Sequence, residues 1–239
     1  MIRLEHITKR FDGRAVLDDL SLDLTKGRSL AVLGRSGTGK SVLSRIALGL
    51  MVPDAGRVLV IDQPMSAKVR RDLMAKTGVL FQGAALFDGL TVAENVAFRL
   101  RNGPQRVSRL AARSQALAAL ERVGLEARVA DLYPADLSGG MQKRVGLARA
   151  IVGAPEFLVF DEPNSGLDPV TAGEIDRLVR TLVTDLKATA LTITHDMASV
   201  ATIADEVLLL DRGRVRWHGP VAEMEGAEDA LLGQFRARR

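Results

Sequence analysis

The chain reads as an α/β protein, a mostly parallel sheet flanked by helices with a purely helical block set into it. Two patterns predict this. Short apolar runs of strand length alternate with segments of helical period near the N-terminus and again after residue 157. Such alternation builds parallel sheets, because each crossover must carry the chain back along the sheet. Between about residues 91 and 152 the strand-like runs stop and only helical spacing remains.

At the N-terminus Ile2, Leu4 and His6 alternate with polar residues, as do Leu20, Leu22 and Leu24, the period-two pattern of half-exposed strands. Ser29–Leu33 is a short, mostly apolar run that passes through glycine-rich sequence into a helical pattern over residues 41–50. Pro53, Asp54, Ala55 and Gly56 have turn chemistry and precede a strand-like run at 57–61. Val79, Leu80 and Phe81 read as another buried strand. In the helical block Thr91 and Glu94 have capping-box spacing. Leu110, Ala111, Leu117, Ala118 and Leu120 then recur at helical intervals, with Gly124 ending that helix. A third helix begins near Ser138. Strands at 157–160, 190–193 and 207–210 then alternate with helices at 170–185 and Met197–Ile203, and Gly213 separates a final hairpin arm at 214–217.

A chain of 239 residues and 25.7 kDa suits one large domain with room for a subdomain. It contains no cysteine, which excludes disulfides and cysteine-ligated metals. The first residues lack the apolar core of a signal peptide, and no stretch approaches the roughly 18 apolar residues of a membrane span. A role at a membrane would therefore require another polypeptide to supply the pore. The net charge of +4 is dispersed and aromatic residues make up only 4%, so no nucleic-acid partner is expected. The basic cluster from Phe235 to Arg239 could touch a partner or anionic lipid.

Gly34, Arg35, Ser36, Gly37, Thr38, Gly39, Lys40 and Ser41 fit G-x-x-x-x-G-K-[ST] between a strand and a helix. Glycines let the backbone turn tightly and aim N–H groups at phosphate oxygens, and the helix start adds its dipole. Lys40 places a positive charge between the β- and γ-phosphates of ATP, and the Ser41 hydroxyl suits Mg²⁺. The run 157–160 then ends in Asp161 and Glu162. A buried strand can deliver Asp161 beside the phosphate loop, to hold Mg²⁺ directly or through water. Glu162 would polarise or deprotonate the attacking water; alone, Asp-Glu-Pro is also good turn sequence. Ser138, Gly139 and Gly140 begin a second helix with a suitable cap and unobstructed first-turn amides. This second anion site either binds another ligand, completes the nucleotide site of a neighbouring copy, or is simply a capped helix with a flexible entry.

Together these motifs, in this order, resemble the nucleotide-binding subunits of ABC transporters over essentially the whole chain. The resemblance implies a P-loop NTPase (RecA-like) core with an N-terminal antiparallel β subdomain and an inserted α-helical subdomain. The ATP-binding domain would cover residues 1–239, with the helical part at about 84–152. Residues 34–41 resemble Walker A, 157–161 Walker B, and 137–141 the family signature. By resemblance Phe11 stacks on adenine, the alternative being a core phenylalanine. Gln82 resembles the Q-loop glutamine, which senses Mg²⁺ and the γ-phosphate. Ser165 to Asp168 resemble the D-loop, and His195 the switch histidine. His6 and His218 lack such context and read as surface or structural. The resemblance implies catalysis by Glu162, His195 and Gln82, and a head-to-tail homodimer with two ATP at its seam. Each ATP lies between Walker A of one copy and Ser138, Gly139 and Gly140 of the other. It also implies a peripheral location on the cytoplasmic face of the inner membrane, beneath integral permease subunits.

Two residues depart from the pattern. Met141 stands where glutamine is usual and Asn164 where serine or threonine is commoner. Ala84, Ala85, Leu86 and Phe87 form an apolar patch where the family receives a permease's coupling helix; ordinary packing of the helical subdomain is the alternative. This segment, with residues 137–141, Lys143 and Arg144, resembles the ATPases of Mla-type, MCE-associated systems. That resemblance implies phospholipid transport between bacterial membranes and an MCE-domain lipid-binding partner. The alternatives are an importer of amino acids or other solutes, and a soluble assembly factor. The final segment, residues 223–239, could pack on a partner copy.

Overall fold

The computed structural model describes residues 1–103 and 106–237. The chain opens with strands β1 (Ile2–Phe11), β2 (Arg14–Leu24) and β3 (Ser29–Leu33), followed by helix α1 (Lys40–Ala47). Strands β4 (Ala55–Val60) and β5 (Gln63–Pro64), helix α2 (Ala67–Ala75) and strand β6 (Thr77–Leu80) come next. The helical stretch holds α3 (Val92–Asn102), α4 (Arg109–Arg122) and α5 (Gly139–Ile151). Strand β7 (Phe157–Asp161), helix α6 (Pro169–Leu186), strand β8 (Thr189–Thr194) and helix α7 (Met197–Ile203) restore the alternation. Strands β9 (Glu206–Asp211) and β10 (Arg214–Pro220) and short helices α8 (Val221–Met224) and α9 (Ala230–Arg236) complete it. The chain divides into two compact units, Met1–Met74 with Ala188–Arg239, and Ala75–Lys187.

In the first unit β2, β1, β4 and β5 form an antiparallel sheet, while β9, β3 and β8 run parallel with β10 antiparallel at the edge. The inner face of β1 does not follow the simple alternation expected at Ile2, Leu4 and His6. His6 adopts a φ of 52°, the ladder shifts register, and Ile7 takes the buried position while His6 turns outward to Asp19 at 2.8 Å. One extra residue in a strand flips every side chain beyond it to the other face. His218 likewise pairs with an exposed-side carboxylate, Glu206, at 3.4 Å.

The helix expected over 41–50 starts one residue earlier and stops at Ala47, with Gly49 in left-handed backbone. The C-terminal helix packs on its own chain. Leu231, Leu232 and Phe235 bury against Ala31, Leu33, Val200 and Leu209. The apolar face of α9 is thus spent within the unit, because those four positions expose an apolar surface that needs cover. Of the basic cluster, Arg238 and Arg239 lie outside the described residues.

In the second unit β6 and β7 pair in parallel beside the helices. The capping box is present: the Glu94 N–H donates to Thr91 Oγ1 at 3.3 Å, and the Thr91 N–H donates to Glu94 at 3.0 Å. The buried face of α4 is not the one Leu110 and Ala118 would mark. Leu110 is 81% exposed, and Ala112, Ala116, Ala119 and Leu120 face inward. Alanine counts weakly in a hydrophobic pattern yet is the residue that lets helices approach closely. The helix ends before Gly124, whose φ is 75°.

Asn95, wholly buried on α3, holds the preceding loop together. It accepts from the Phe87 N–H at 2.8 Å, and its amide donates to the carbonyls of Phe87, Leu90 and Thr91 at 3.0–3.1 Å. Asn95→Ala should cost about 2–4 kcal/mol, since it orphans several buried backbone groups at once. Urea denaturation would read this as a lower midpoint at constant slope, and an unchanged midpoint would contradict it.

Candidate functional site

The phosphate loop grows out of the first unit's parallel strands. Every residue of β3 is buried, and β3 pairs with β8 in the register Leu33↔Thr194. The next residues, Gly34 and His195, therefore leave the sheet side by side at the strands' carboxyl ends, where open α/β sheets bind ligands. Gly37 and Gly39 adopt φ of 78° and 103°, which side chains rarely tolerate. A Cβ on Gly39 would also lie 2.8 Å from the Val16 carbonyl oxygen of β2. Glycine at both positions lets the loop coil back and start α1 against that strand.

Lys40 opens α1 and is buried. Its ammonium donates to the carbonyls of Gly34 at 2.7 Å and Arg35 at 2.9 Å, curling into its own loop. A cation enclosed by glycine-rich backbone at a helix amino end is a donor set that fits a polyphosphate. Ser41, exposed on the first turn of α1, carries the hydroxyl suited to Mg²⁺. The Thr38 hydroxyl donates to the Arg35 carbonyl at 2.9 Å, and Arg35 donates to Gln234 of α9 at 2.6 Å. Arg35 and Ser36 are exposed.

Phe11 ends β1 and is 43% exposed, so it is not a core phenylalanine. The Lys9 ammonium sits 5.6 Å from its ring centroid and is held there by Asp54 at 2.8 Å. The hydrogen bond from Lys9 keeps the Asp54 carboxyl below the usual carboxylate range, with the Arg10 N–H adding to it.

In the second unit β6 and β7 pair with Leu80 opposite Phe160, so Gln82 and the pair Asp161 and Glu162 follow the same end of two adjacent strands. Gln82 is exposed, Asp161 half-buried and Glu162 buried. Glu162 adopts a φ of 50°, a left-handed conformation that costs a non-glycine residue about 1–2 kcal/mol. Among the described residues no three His, Asp or Glu side chains gather as a metal site. Within the second unit the Asp161 carboxylate and the Gln82 side-chain amide are single oxygen donors of the kind a hard divalent ion accepts alongside phosphate oxygens and water. That is the way Mg²⁺ is held.

Ser138 caps α5, its hydroxyl accepting from the Met141 N–H at 3.3 Å, and Gly139 and Gly140 form the first turn. Ser138 and Gly139 are exposed, Gly140 is half-buried, and the first-turn amides point outward from the amino end of a 13-residue helix. Asp168 caps α6, and hydrogen bonds from the Thr171 hydroxyl and N–H hold its carboxyl below the usual range.

Sequence reasoning gave no structural role to two cations on α5. Arg149 donates to the carbonyls of Ala84 at 2.5 Å and Ala85 at 2.8 Å, both of which sit in left-handed backbone, φ 62° and 46°. Burial lowers its pKa. Its guanidinium also lies 5.8 Å from the ring of Phe87, which packs against Phe98 at 4.6 Å. The patch expected at residues 84–87 is therefore narrower than its sequence: Ala84 is 1% exposed, while Phe87 is 44% exposed. Lys143 is the other cation, buried and bonded to the Glu162 turn. The available signal was a charge at inward positions of an otherwise apolar helical run.

Comparison with known proteins follows the same lines. The family model described as ABC transporter matches residues 17–165. The sulfate/thiosulfate import ATP-binding protein CysA of Ralstonia nicotianae is 41% identical over 96% of this chain and 60% of its own length. The methionine import ATP-binding protein MetN 1 of Rhodococcus jostii is 42% identical over 98% of this chain and 70% of its own. The aliphatic sulfonates import ATP-binding protein SsuB 1 of Burkholderia cenocepacia is 38% identical over 90% of this chain and 62% of its own. The chain thus spans between 60% and 70% of the length of these relatives. Among solved structures, the dimeric bacterial ABC transporter cassette MJ0796 superposes with a TM-score of 0.83 at 29% identity, covering 92% of this chain and 99% of the other. CbiO1 of Clostridium perfringens, part of the CbiONQ transporter complex, gives a TM-score of 0.84 at 30% identity, covering 99% and 94%.

Proposed function

This chain belongs to the ABC transporter family, and from that premise we propose that it is the ATP-binding and ATP-hydrolysing subunit of a multi-chain importer. Two copies would work head to tail beneath separate permease subunits, on the cytoplasmic face of the membrane. What carries the reading is the phosphate loop at the end of β3, with Lys40 drawn into it. Lys40 and the loop amides would hold the phosphates of ATP. Ser41, Gln82 and Asp161 would hold Mg²⁺, which neutralises phosphate charge when bound. Glu162 would orient and deprotonate water, and His195 would contact the γ-phosphate. Phe11 would stack on adenine, and Ser138, Gly139 and Gly140 would close on the nucleotide of the neighbouring copy. No helix among the described residues is long and apolar enough to cross a membrane, which accords with a separate permease.

For the cargo, the relatives' names support a small polar solute: they are import proteins for sulfate or thiosulfate, methionine and aliphatic sulfonates. A second reading, phospholipid transport with an MCE-domain partner, is favoured by the segment from Phe81 to Phe98. There Phe87 and Phe98 form an exposed aromatic pair bordered by Arg149. Purification of the tagged chain in mild detergent tests both. A multipass protein should accompany it. Bound phospholipid and a lipid-binding partner would select the second reading, and a solute-binding protein the first. Soluble partners alone would remove the transporter reading in favour of an assembly factor.

A further inference from the structure

We propose that Lys143 is a positioning residue for the hydrolytic step, because its ammonium fixes the strained turn that carries Glu162. The inference rests on the reading of Glu162 as the base. The Lys143 ammonium donates to the Glu162 carbonyl at 3.2 Å and to the Ser165 hydroxyl at 3.2 Å. The Ser165 N–H donates to the same carbonyl at 3.2 Å, closing the turn from 162 to 165. Glu162 holds its φ of 50° inside that turn, so the side-chain direction depends on a backbone conformation that is unfavourable by itself. A carbonyl anchored by a cation and by an amide keeps the conformation; without the cation the residue can relax to ordinary backbone and swing its carboxylate away.

Lys143 is 4% exposed, and burial lowers its pKa, an effect opposed by the charges of Glu162 and Asp161. A desolvated ammonium is costly unless it is hydrogen-bonded, and two of its three donors are taken up by the two ends of one turn. Lys143 is also the fifth residue beyond Ser138, about 7.5 Å along the helix at 1.5 Å per residue. One rigid helix therefore supports both the exposed anion-binding turn and the Glu162 backbone.

The experiment compares steady-state ATP hydrolysis by the full chain with its co-purified membrane partner and by its variants. Lys143→Met keeps the apolar stem and removes the donors; kcat should fall about tenfold or more with KM for ATP within about twofold. Lys143→Gln keeps a donor without the charge and should recover kcat to within about threefold of wild type. Ser165→Ala should lower kcat less, and should add nothing on top of Lys143→Met, as expected of two groups in one unit. Wild-type kcat in Lys143→Met overturns the inference. So does a loss that Lys143→Gln fails to recover, or one matched by an equal rise in KM. Should Lys143→Met not fold, Lys143→Gln and Ser165→Ala remain decisive: additive losses in their double variant would deny the shared role. Glu162→Gln measured in parallel separates the two failures. An active Glu162→Gln removes the base itself, whereas an inactive one beside an unimpaired Lys143→Met removes only the role of Lys143.

Discussion

Glu162→Gln should reduce ATP turnover by about 10²–10⁴-fold while leaving ATP binding intact, the range expected for loss of a positioned general base. The substitution keeps the shape and removes the proton acceptor. Glu162 is buried at the end of a buried strand, so bulk water is a poor substitute for the missing carboxylate. Because the nucleotide still binds but is not consumed, the variant should accumulate as a nucleotide-bound dimer, visible as a doubled mass by size exclusion with light scattering. Turnover near wild type would remove Glu162 from its role. A monomer that binds ATP but never dimerises would count against the reading of Ser138, Gly139 and Gly140 as the neighbour's half of the site.

Lys40→Ala should fail one step earlier. The ammonium now satisfied by Gly34 and Arg35 would, with ATP bound, donate to phosphate oxygens, and hydrogen bonds to charged groups are worth about 1.5–3 kcal/mol. Affinity for ATP should fall about 10–100-fold on that scale, read by titration calorimetry or a fluorescent nucleotide. Alanine is also a good helix former, so α1 should persist and circular dichroism should not change. Unchanged affinity would count against the phosphate-loop assignment. The two variants together separate binding from chemistry: one loses the nucleotide, the other keeps it.

Much of the architecture was legible because local patterns and tertiary demands agree. Ser29–Leu33 is buried on both faces and reads as a continuous apolar strand for that reason. Helix α7 matches its sequence boundaries because Asp196 caps its start, accepting from the Ala198 N–H at 2.9 Å. Errors gathered where local pattern and packing diverge. The bulge at His6 transfers burial to Ile7, and no pattern of period two contains a bulge. In α4 the inward face is built from alanines, so the larger Leu110 marked the wrong side. Helix α2 shows no apolar stripe in the sequence, because Leu73 is its one buried residue and Lys68, Arg70, Arg71 and Asp72 surround it.

The candidate site divides in the same way. The phosphate-loop pattern is contiguous, with its glycines, lysine and hydroxyl within eight residues, so a single sequence can display it. The supports of the site are not contiguous. Asn95 gathers the loop from Phe87 to Thr91, Arg149 holds the turn at Ala84 and Ala85, and Lys143 reaches 19 residues along the chain to Glu162. In sequence each is one polar residue on a helix, and its position among apolar neighbours does not say what it bonds to. Burial and the partners at the far end of the side chain give each its role, and those depend on which strand a helix is laid against. The sequence by itself determined the alternation of the main strands and helices and the contiguous loop proposed to hold phosphate. Tertiary structure alone decided which cations are buried against strained backbone, because desolvation and long-range hydrogen bonding exist only once the chain has packed.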